Sequence, residues 1–211
     1  KKDEIRSRQE LLADGQKYLS AYRSTSLKNY TDILDMLSKA NGLLERLAKF
    51  EKSLGNDAKK LHSQLDECVK KLTEAKQKIQ TDMENIWEDL ANAQSQEDIE
   101  SILSCIALIM NYRIPARDLQ DFEDLKETLD AFMADVSELQ SAVNDRSKLE
   151  KAITTLREKY AGSEMDFDVD TVLEDVIKSA EEAIDTKERI WRQNHLTLGD
   201  RTRATIHTWK E

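Results

Sequence analysis

The sequence predicts an all-α protein, namely an elongated, antiparallel, coiled-coil-like bundle of six to seven helices. The first observation is a shortage of helix-breaking residues, because the 211 residues include only five Gly and one Pro. Sheets need a turn about every 8–12 residues, and turns consume Gly, Pro, Asn and Asp. The second is that 35% of the residues are charged, and the third is the helical spacing of the apolar residues. This combination is typical of long helices and coiled coils.

The first two helices are predicted over residues 3–23 and 27–54. We expect a hydroxyl of Ser24-Thr25-Ser26 to cap the second helix, because such an oxygen accepts a hydrogen bond from a free backbone N–H of the first turn. The apolar stripe of the first helix consists of Ile5, Leu12, Leu19 and Tyr22, with Leu11 and Tyr18 beside it. The stripe of the second helix consists of Ile33, Leu37, Ala40, Leu44 and Leu47.

The third helix is predicted over residues 58–93, and its apolar residues alternate between spacings of four and three. They are Leu61, Leu65, Cys68, Leu72, Ala75, Ile79, Ile86, Leu90 and Ala93. At 1.5 Å per residue such a helix is about 54 Å long. This length exceeds the width of a compact domain of this mass, so the sequence predicts an elongated molecule.

A short fourth helix is predicted over residues 96–110, after a Ser95-Gln96-Glu97-Asp98 segment that resembles a capping box. Its apolar residues are Ile99, Ile102, Leu103, Cys105, Ile106, Leu108, Ile109 and Met110. A helix that is apolar on all sides is normally buried. We therefore expect a central helix that its neighbours cover, and it is too short to cross a bilayer, which takes about 20 residues.

The fifth helix is predicted over residues 116–160, directly after Pro115. Its first stripe consists of Phe122, Leu125, Leu129, Phe132, Val136, Leu139 and Val143. The phase then changes at Asn144-Asp145, which indicates either a stammer within one helix or a short break between two. We expect residues 58–93 and 116–160 to form a long antiparallel pair, with the fourth helix between their ends.

An acidic loop is predicted over residues 163–170, after Gly162 has ended the preceding helix. Asp166, Asp168 and Asp170 match the beginning of a calcium-binding loop, but the Gly and the Glu that complete such a motif are missing. We therefore interpret the loop as the N-cap region of the next helix, where acidic residues complement the helix dipole.

The sixth helix is predicted over residues 171–191, with its apolar residues facing inward. They are Leu173, Ile177, Ala180, Ile184 and Trp191. Thr197-Leu198-Gly199-Asp200 resembles another cap, which predicts a separate short terminal helix carrying Ile206 and Trp209.

Charge is distributed unevenly along the chain. From Lys187 to Glu211 there are six basic and three acidic residues, a net charge of +3, which leaves −13 for the first 186 residues of a chain whose total is −10. The acidic body argues against DNA or an anionic membrane as the main partner. We expect residues 1–211 to form a single helical domain, a fragment of a larger protein, with a basic helical end at 187–211.

The strongest candidate for a functional surface is this basic end. It contains Trp191, Arg192, His195, Arg201, Arg203, His207 and Trp209. Arg beside aromatic rings can bind phosphates and stack on bases. The same residues can equally anchor a last helix on the acidic body with the Trp rings buried. The sequence leaves open whether this end is a packed helix or a partner surface, for nucleic acid or for protein.

The motifs of common active sites are missing from the sequence. It contains no glycine-rich phosphate loop, no H-E-x-x-H and no G-x-S-x-G. We therefore expect no enzymatic activity, catalytic residue, cofactor or metal site. Cys68 and Cys105 lie on helical apolar faces and are expected to be buried, reduced thiols.

The function predicted from these observations is structural. We expect a spacer or partner-binding module of a larger cytoplasmic protein, which binds a protein or other domains of its own chain and can associate through its long helices. The alternative is a helical accessory segment of a nucleotide-driven machine that processes nucleic acid, with the basic end contacting DNA or RNA. This alternative depends on an analogy of architecture alone.

Overall fold

A computed structural model of the chain describes residues 2–50, 55–163 and 165–208. Over these ranges the regular structure consists of seven α-helices and no strand, so the predicted all-α bundle is confirmed. In chain order the helices are α1 (Lys2–Ser24), α2 (Tyr30–Ala48), α3 (Asn56–Ala91), α4 (Gln96–Met110), α5 (Ala116–Ser141), α6 (Arg146–Tyr160) and α7 (Val169–Thr208). No helix in this described part of the chain is long and apolar enough to cross a membrane.

The chain divides into two compact units, one formed by residues 1–87 and 104–125 and the other by residues 88–103 and 126–211. Both α3 and α5 run from the first unit into the second, and α4 runs back. The antiparallel pair predicted for residues 58–93 and 116–160 stays a prediction. The single-domain organisation and the elongated outline stay predictions.

In the first unit, α1 and α2 pack as antiparallel neighbours. The buried hydroxyl of Tyr18 donates a hydrogen bond to the Met36 carbonyl at 3.1 Å, and Arg46 binds Asp14 at 3.0 Å. Two members of the stripe predicted for the second helix, Leu37 and Leu44, are only half-buried. Each has an apolar neighbour one position earlier that takes the core position instead, namely Met36 and Leu43. Adjacent residues of a helix point about 100° apart. Where both are apolar, the sequence therefore does not determine which of the two directions faces the core.

The cap predicted for the second helix is wrong. The hydroxyls of Ser24 and Thr25 donate to the Ala21 carbonyl at the end of α1. Asn29 caps α2 instead, because its side-chain oxygen accepts a hydrogen bond from the backbone N–H of Asp32 at 3.1 Å. The helix therefore begins at Tyr30 rather than near residue 27.

The long stripe predicted for the third helix is buried except for Ala75, which is half-buried, and its last member, Ala93, lies just after the end of α3. The capping box of α4 is confirmed: the Ser95 hydroxyl accepts from the Asp98 N–H at 3.3 Å, and the Asp98 carboxylate accepts from the Ser95 N–H at 3.0 Å. The predicted burial of α4 on all sides is wrong. Its core side consists of Ile99, Ile102, Ile106 and Ile109. Leu108 points away from them and is 60% exposed.

The two thiols differ in burial. Cys68 is buried and Cys105 is half-buried, and neither forms a disulfide. Burial raises the pKa of the Cys68 thiol above its usual range, which keeps this sulfur protonated. The prediction of a buried thiol is confirmed for Cys68 and wrong for Cys105.

In the second unit, the phase change near residue 144 is a break between two helices. α5 ends at Ser141, and the Asp145 side chain caps α6 by accepting from the N–H groups of Ser147 and Lys148 at 3.1 and 3.3 Å. Of the two alternatives that the sequence left open, a stammer within one helix and a break between two, the structure has the break, because a local cap is available where the apolar phase changes.

The turn between α6 and α7 is fixed at both ends. Gly162 has a positive φ of 70°, a conformation that a residue without a Cβ adopts readily. The Asp168 side chain accepts a hydrogen bond from the N–H of Thr171 at 3.1 Å. Phe167 is buried and makes an edge-to-face contact with Phe132, 5.5 Å between ring centroids. The acidic loop therefore caps α7, as the sequence predicts.

Candidate functional site

The candidate site lies on α7, beyond the part of this helix that α6 covers. Two arginines of α6 bind carboxylates of α7: Arg157 binds Glu174 at 2.8 Å, and Arg146 binds Glu188 at 2.8 Å and also Asp185. The later residue of α6 binds the earlier part of α7, so the two helices are antiparallel. Arg146 is the first residue of α6, and the contacts with this helix therefore end near Glu188.

The helix α7 continues from there to Thr208 without interruption. The cap and the separate terminal helix predicted around Thr197–Asp200 are therefore wrong. The reason is energetic: Gly199 costs a helix up to about 1 kcal/mol relative to Ala, and a single such residue does not end a helix of 40 residues. We call residues 189–208 the α7 extension, a helical segment about 30 Å long.

Among the side chains of the α7 extension that the structure describes, three large apolar ones are exposed. The exposed fractions are 50% for Ile190, 61% for Trp191 and 69% for Leu196. The prediction that Trp191 points inward is wrong, although Trp191 does continue the apolar stripe of Ile177 and Ile184. It is exposed because α6 begins too late in the chain to cover this part of the stripe.

The structure brings Trp191, Arg192 and His195 together on consecutive turns. The rings of Trp191 and His195 are stacked with their centroids 3.8 Å apart, and Nδ1 of His195 lies 3.0 Å from the Trp191 carbonyl oxygen. Arg192 binds Glu188 at 3.5 Å. The imidazole of His195 therefore covers one side of the Trp191 ring, and the rest of the ring is free to contact a partner.

Four members of the predicted surface lie wholly or partly outside the described part of the structure. Arg201, Arg203 and His207 belong to α7, but their side chains lie outside the described part of the structure. Trp209 lies outside the described residues altogether. Their participation in a common surface stays a prediction.

A groove of about 500 Å³ lies at the base of the α7 extension. Its lining includes Val143, Asn144, Arg146, Ile184, Lys187, Glu188, Trp191 and Arg192. The hydrogen bond from Arg146 lowers the pKa of Glu188, and the bonds to Glu188 and Asp185 raise the pKa of Arg146. Arg146 and Glu188 are therefore charged at neutral pH, and the ion pairs of Arg146 with Glu188 and Asp185 fix the point where α7 leaves α6.

Sequence reasoning missed Ile190 and Leu196. Both lie off the apolar stripe of α7, and an apolar residue at a position where the helix should face water is the signal that could have identified them. Arg146 was also missed, because its role depends on the packing of α6 against α7.

In the part of the chain that the structure describes, no three His, Cys, Asp or Glu side chains are grouped in a way that could hold a metal ion. Comparison with protein-family models, curated protein sequences and solved structures found no match to this chain.

Proposed function

We propose that this chain is a structural and protein-interaction domain of a larger cytoplasmic protein, in which the packed helices act as a spacer that presents the α7 extension to a protein partner. The observation that carries the proposal is the exposure of Ile190, Trp191 and Leu196 within seven residues of one helix. Single exposed apolar residues are normal, whereas three large ones so close together along one helix favour an interaction site.

The mechanism is presentation and spacing, not chemistry. A helix is a stiff element, and the ion pairs of Arg146 with Asp185 and Glu188 hold its base against α6. A partner that covers the extension gains about 25 cal/mol for each Å² of apolar surface removed from water. Trp is also among the residues that contribute most to protein interfaces. We do not propose an enzymatic activity.

Nucleic acid is the alternative partner, and the arginines of the extension favour it. Arg192, however, is bound to Glu188, and this carboxylate repels phosphate. Ile190 and Leu196 have no counterpart in a phosphate backbone. We therefore favour protein.

The proposal is tested by affinity purification of the tagged protein from the cells that produce it. The test variant carries Ile190→Ser, Trp191→Ala and Leu196→Ser. The matched control carries Ile5→Ser, Leu27→Ser and Leu108→Ser, which remove exposed apolar side chains elsewhere on the chain. We expect one protein to be absent from the proteins that co-purify with the test variant and to be present among those that co-purify with the control. Both variants should keep the helix content of the wild-type protein in circular dichroism. A co-purified set that is identical for all three proteins contradicts the proposal.

The nucleic-acid alternative is tested by fluorescence anisotropy with a labelled single-stranded DNA. We expect no saturable binding at low salt. Saturable binding that weakens steeply with salt and disappears with Arg189→Glu and Arg192→Glu would favour the alternative.

A further inference from the structure

We infer that the partner holds the α7 extension in an acidic, apolar cleft that surrounds the helix on at least three sides. This inference rests on the proposed function, because it describes the chemistry of the partner that the extension binds. The extension is then the inserted element, and the cleft belongs to the partner.

The directions of the three exposed side chains carry the first step. Successive residues of an α-helix are rotated by about 100°. Ile190 and Trp191 therefore point about 100° apart, Trp191 and Leu196 about 140° apart, and Leu196 and Ile190 about 120° apart. A single helix packed alongside covers one stripe of the surface. It can cover one or two of these side chains but not all three.

The contrast with the first half of α7 carries the second step. There the buried residues lie on one side of the helix, toward α6, and the opposite side is polar. They are Val169, Val172, Leu173, Val176, Ile177, Ala180 and Ile184. After Glu188 the exposed apolar side chains point in several directions around the helix, so only a partner that surrounds the helix can cover all of them. The pattern changes where the contacts with α6 end, so the surroundings of the extension must come from a partner.

Charge carries the third step. The extension contains four arginines and one aspartate, a net charge of +3, whereas the first 186 residues carry −13. A complementary cleft is acidic. Arg189 and Arg192 point within about 20° and 40° of the direction of Leu196. The acidic wall of the cleft therefore faces Leu196, and its more apolar walls face Ile190 and Trp191.

Other macromolecules fit this arrangement less well. A membrane surface binds a helix through one continuous apolar side and leaves the other side in water. A second α7 extension carries the same positive charge and is repelled. Nucleic acid would contact the arginines but would leave two of the three apolar directions uncovered.

The test is site-specific photo-crosslinking of the full chain in the cells that produce it. The photoreactive residue p-benzoylphenylalanine replaces Ile190, Trp191 or Leu196, one position at a time, and replaces Ile5 or Leu108 as the exposed apolar control. We expect the same partner polypeptide to be cross-linked from all three positions of the extension and from neither control. Mass spectrometry should place the cross-link from position 196 in a segment rich in Asp and Glu, distinct from the segments reached from positions 190 and 191.

The outcomes separate the two proposals. A partner that is cross-linked from only one or two of the three positions overturns the enclosing cleft and leaves the proposed function standing. Controls that cross-link the same partner equally overturn the assignment to the extension. A nucleic-acid, lipid or self-adduct as the main product, or no adduct at any position, overturns both proposals.

A charge-reversal arm tests the acidic wall. We expect Arg189→Glu with Arg192→Glu to reduce the cross-link yield at position 191 by about tenfold, since like charges across an interface are strongly unfavourable. Lys17→Glu with Lys39→Glu, two exposed lysines of the first unit, should leave the yield unchanged. An equal yield for both pairs overturns the acidic character of the cleft.

Discussion

Gly15 of α1 lies so close to Leu61 of α3 that a Cβ atom on Gly15 would be 2.8 Å from Cδ1 and 3.1 Å from Cγ of this leucine, and closer still to Cδ2. Leu61 is 1% exposed, so its side chain has little room to move. The absence of a side chain at residue 15 therefore permits the close approach of α1 to α3 within the first unit.

We expect Gly15→Ala to lower the free energy of unfolding by about 1–3 kcal/mol, because overpacking a buried contact costs this much. This cost should exceed the gain in helix propensity, which is up to about 1 kcal/mol. Gly42→Ala is the matched control, since Gly42 also lies in a helix but a Cβ there would meet nothing within 4 Å. The control should raise the free energy of unfolding by up to about 1 kcal/mol in urea denaturation. Equal stabilisation by both changes would show that α1 and α3 are further apart.

Periodicity predicted the helices best where the apolar residues had no apolar neighbour. Leu65 and Ile79 on α3 are buried as predicted. Each is flanked by polar residues, so only one side of the helix can face the core at these positions. Met36 and Leu37 are adjacent and apolar, and only the packing of α1 decides which of them is buried.

The candidate site was predictable only in part. Trp191 continues a stripe that is buried at Ile184, and the sequence does not say where the covering helix ends. That end is set by Asp145 and Arg146 at the start of α6, which are far away in sequence. Exposure of the α7 extension is therefore a property of tertiary packing, whereas its charge and its Trp were visible from the start.

A second prediction concerns the cap of α2. Asn29 is buried, and its side chain accepts from the Asp32 N–H and donates to the Asp32 carboxylate at 2.6 Å. We expect Asn29→Ala to cost about 1 kcal/mol of stability, the usual cost of removing such a cap. Ser26→Ala is the control at the position favoured by the sequence, and it should cost a few tenths of a kcal/mol, as surface substitutions usually do. Thermal denaturation of the two variants decides between these caps, and a larger loss for Ser26→Ala would restore the sequence-based assignment.

Asp135 of α5 joins two residues at the end of α6. It accepts a hydrogen bond from the Tyr160 hydroxyl at 2.5 Å and forms an ion pair with Lys159. Burial tends to raise the pKa of Asp135, but the bonds from Lys159 and Tyr160 outweigh it, so the pKa of the folded carboxyl is lowered. Burial and the bond to Asp135 raise the pKa of Tyr160, which keeps its hydroxyl protonated as a donor.

The sign of the pH dependence follows from this lowered pKa. In the unfolded chain the pKa of an Asp carboxyl is about 3.9, so acidification protonates this carboxyl in the unfolded state first. The contribution of Asp135 is therefore complete above the unfolded pKa and is lost as the pH falls through the folded pKa. We expect Asp135→Asn to make the loss of stability between about pH 5 and pH 2 shallower than in the wild-type protein. Guanidinium denaturation across this range measures the slope, and an unchanged slope contradicts the assignment.

Tyr160→Phe tests the same contact at neutral pH. It keeps the ring that packs edge-to-face on Phe132, 5.3 Å between centroids, and removes only the hydroxyl. We expect a loss of about 1 kcal/mol, the net value of one hydrogen bond in a partly exposed setting. Asp130→Asn is the control: it breaks an exposed pair with Lys126 on α5 and should cost only about 0.2–0.5 kcal/mol.

The continuity of α7 through Gly199 gives the last prediction. A Cβ at residue 199 would meet nothing within 4 Å, so Gly199→Ala adds helix propensity without a clash. If α7 is one helix, this change should stabilise the extension by up to about 1 kcal/mol and slow its amide hydrogen exchange up to about fivefold. The same amides should exchange faster than those of residues 172–186, which pack against α6.

If residues 197–200 instead cap a separate helix, Gly199→Ala replaces a glycine that is well tolerated at caps and turns. Amide hydrogen exchange should then stay the same or become faster. Hydrogen-exchange mass spectrometry of peptides covering 190–205 therefore separates a continuous helix from the break that the sequence alone predicts.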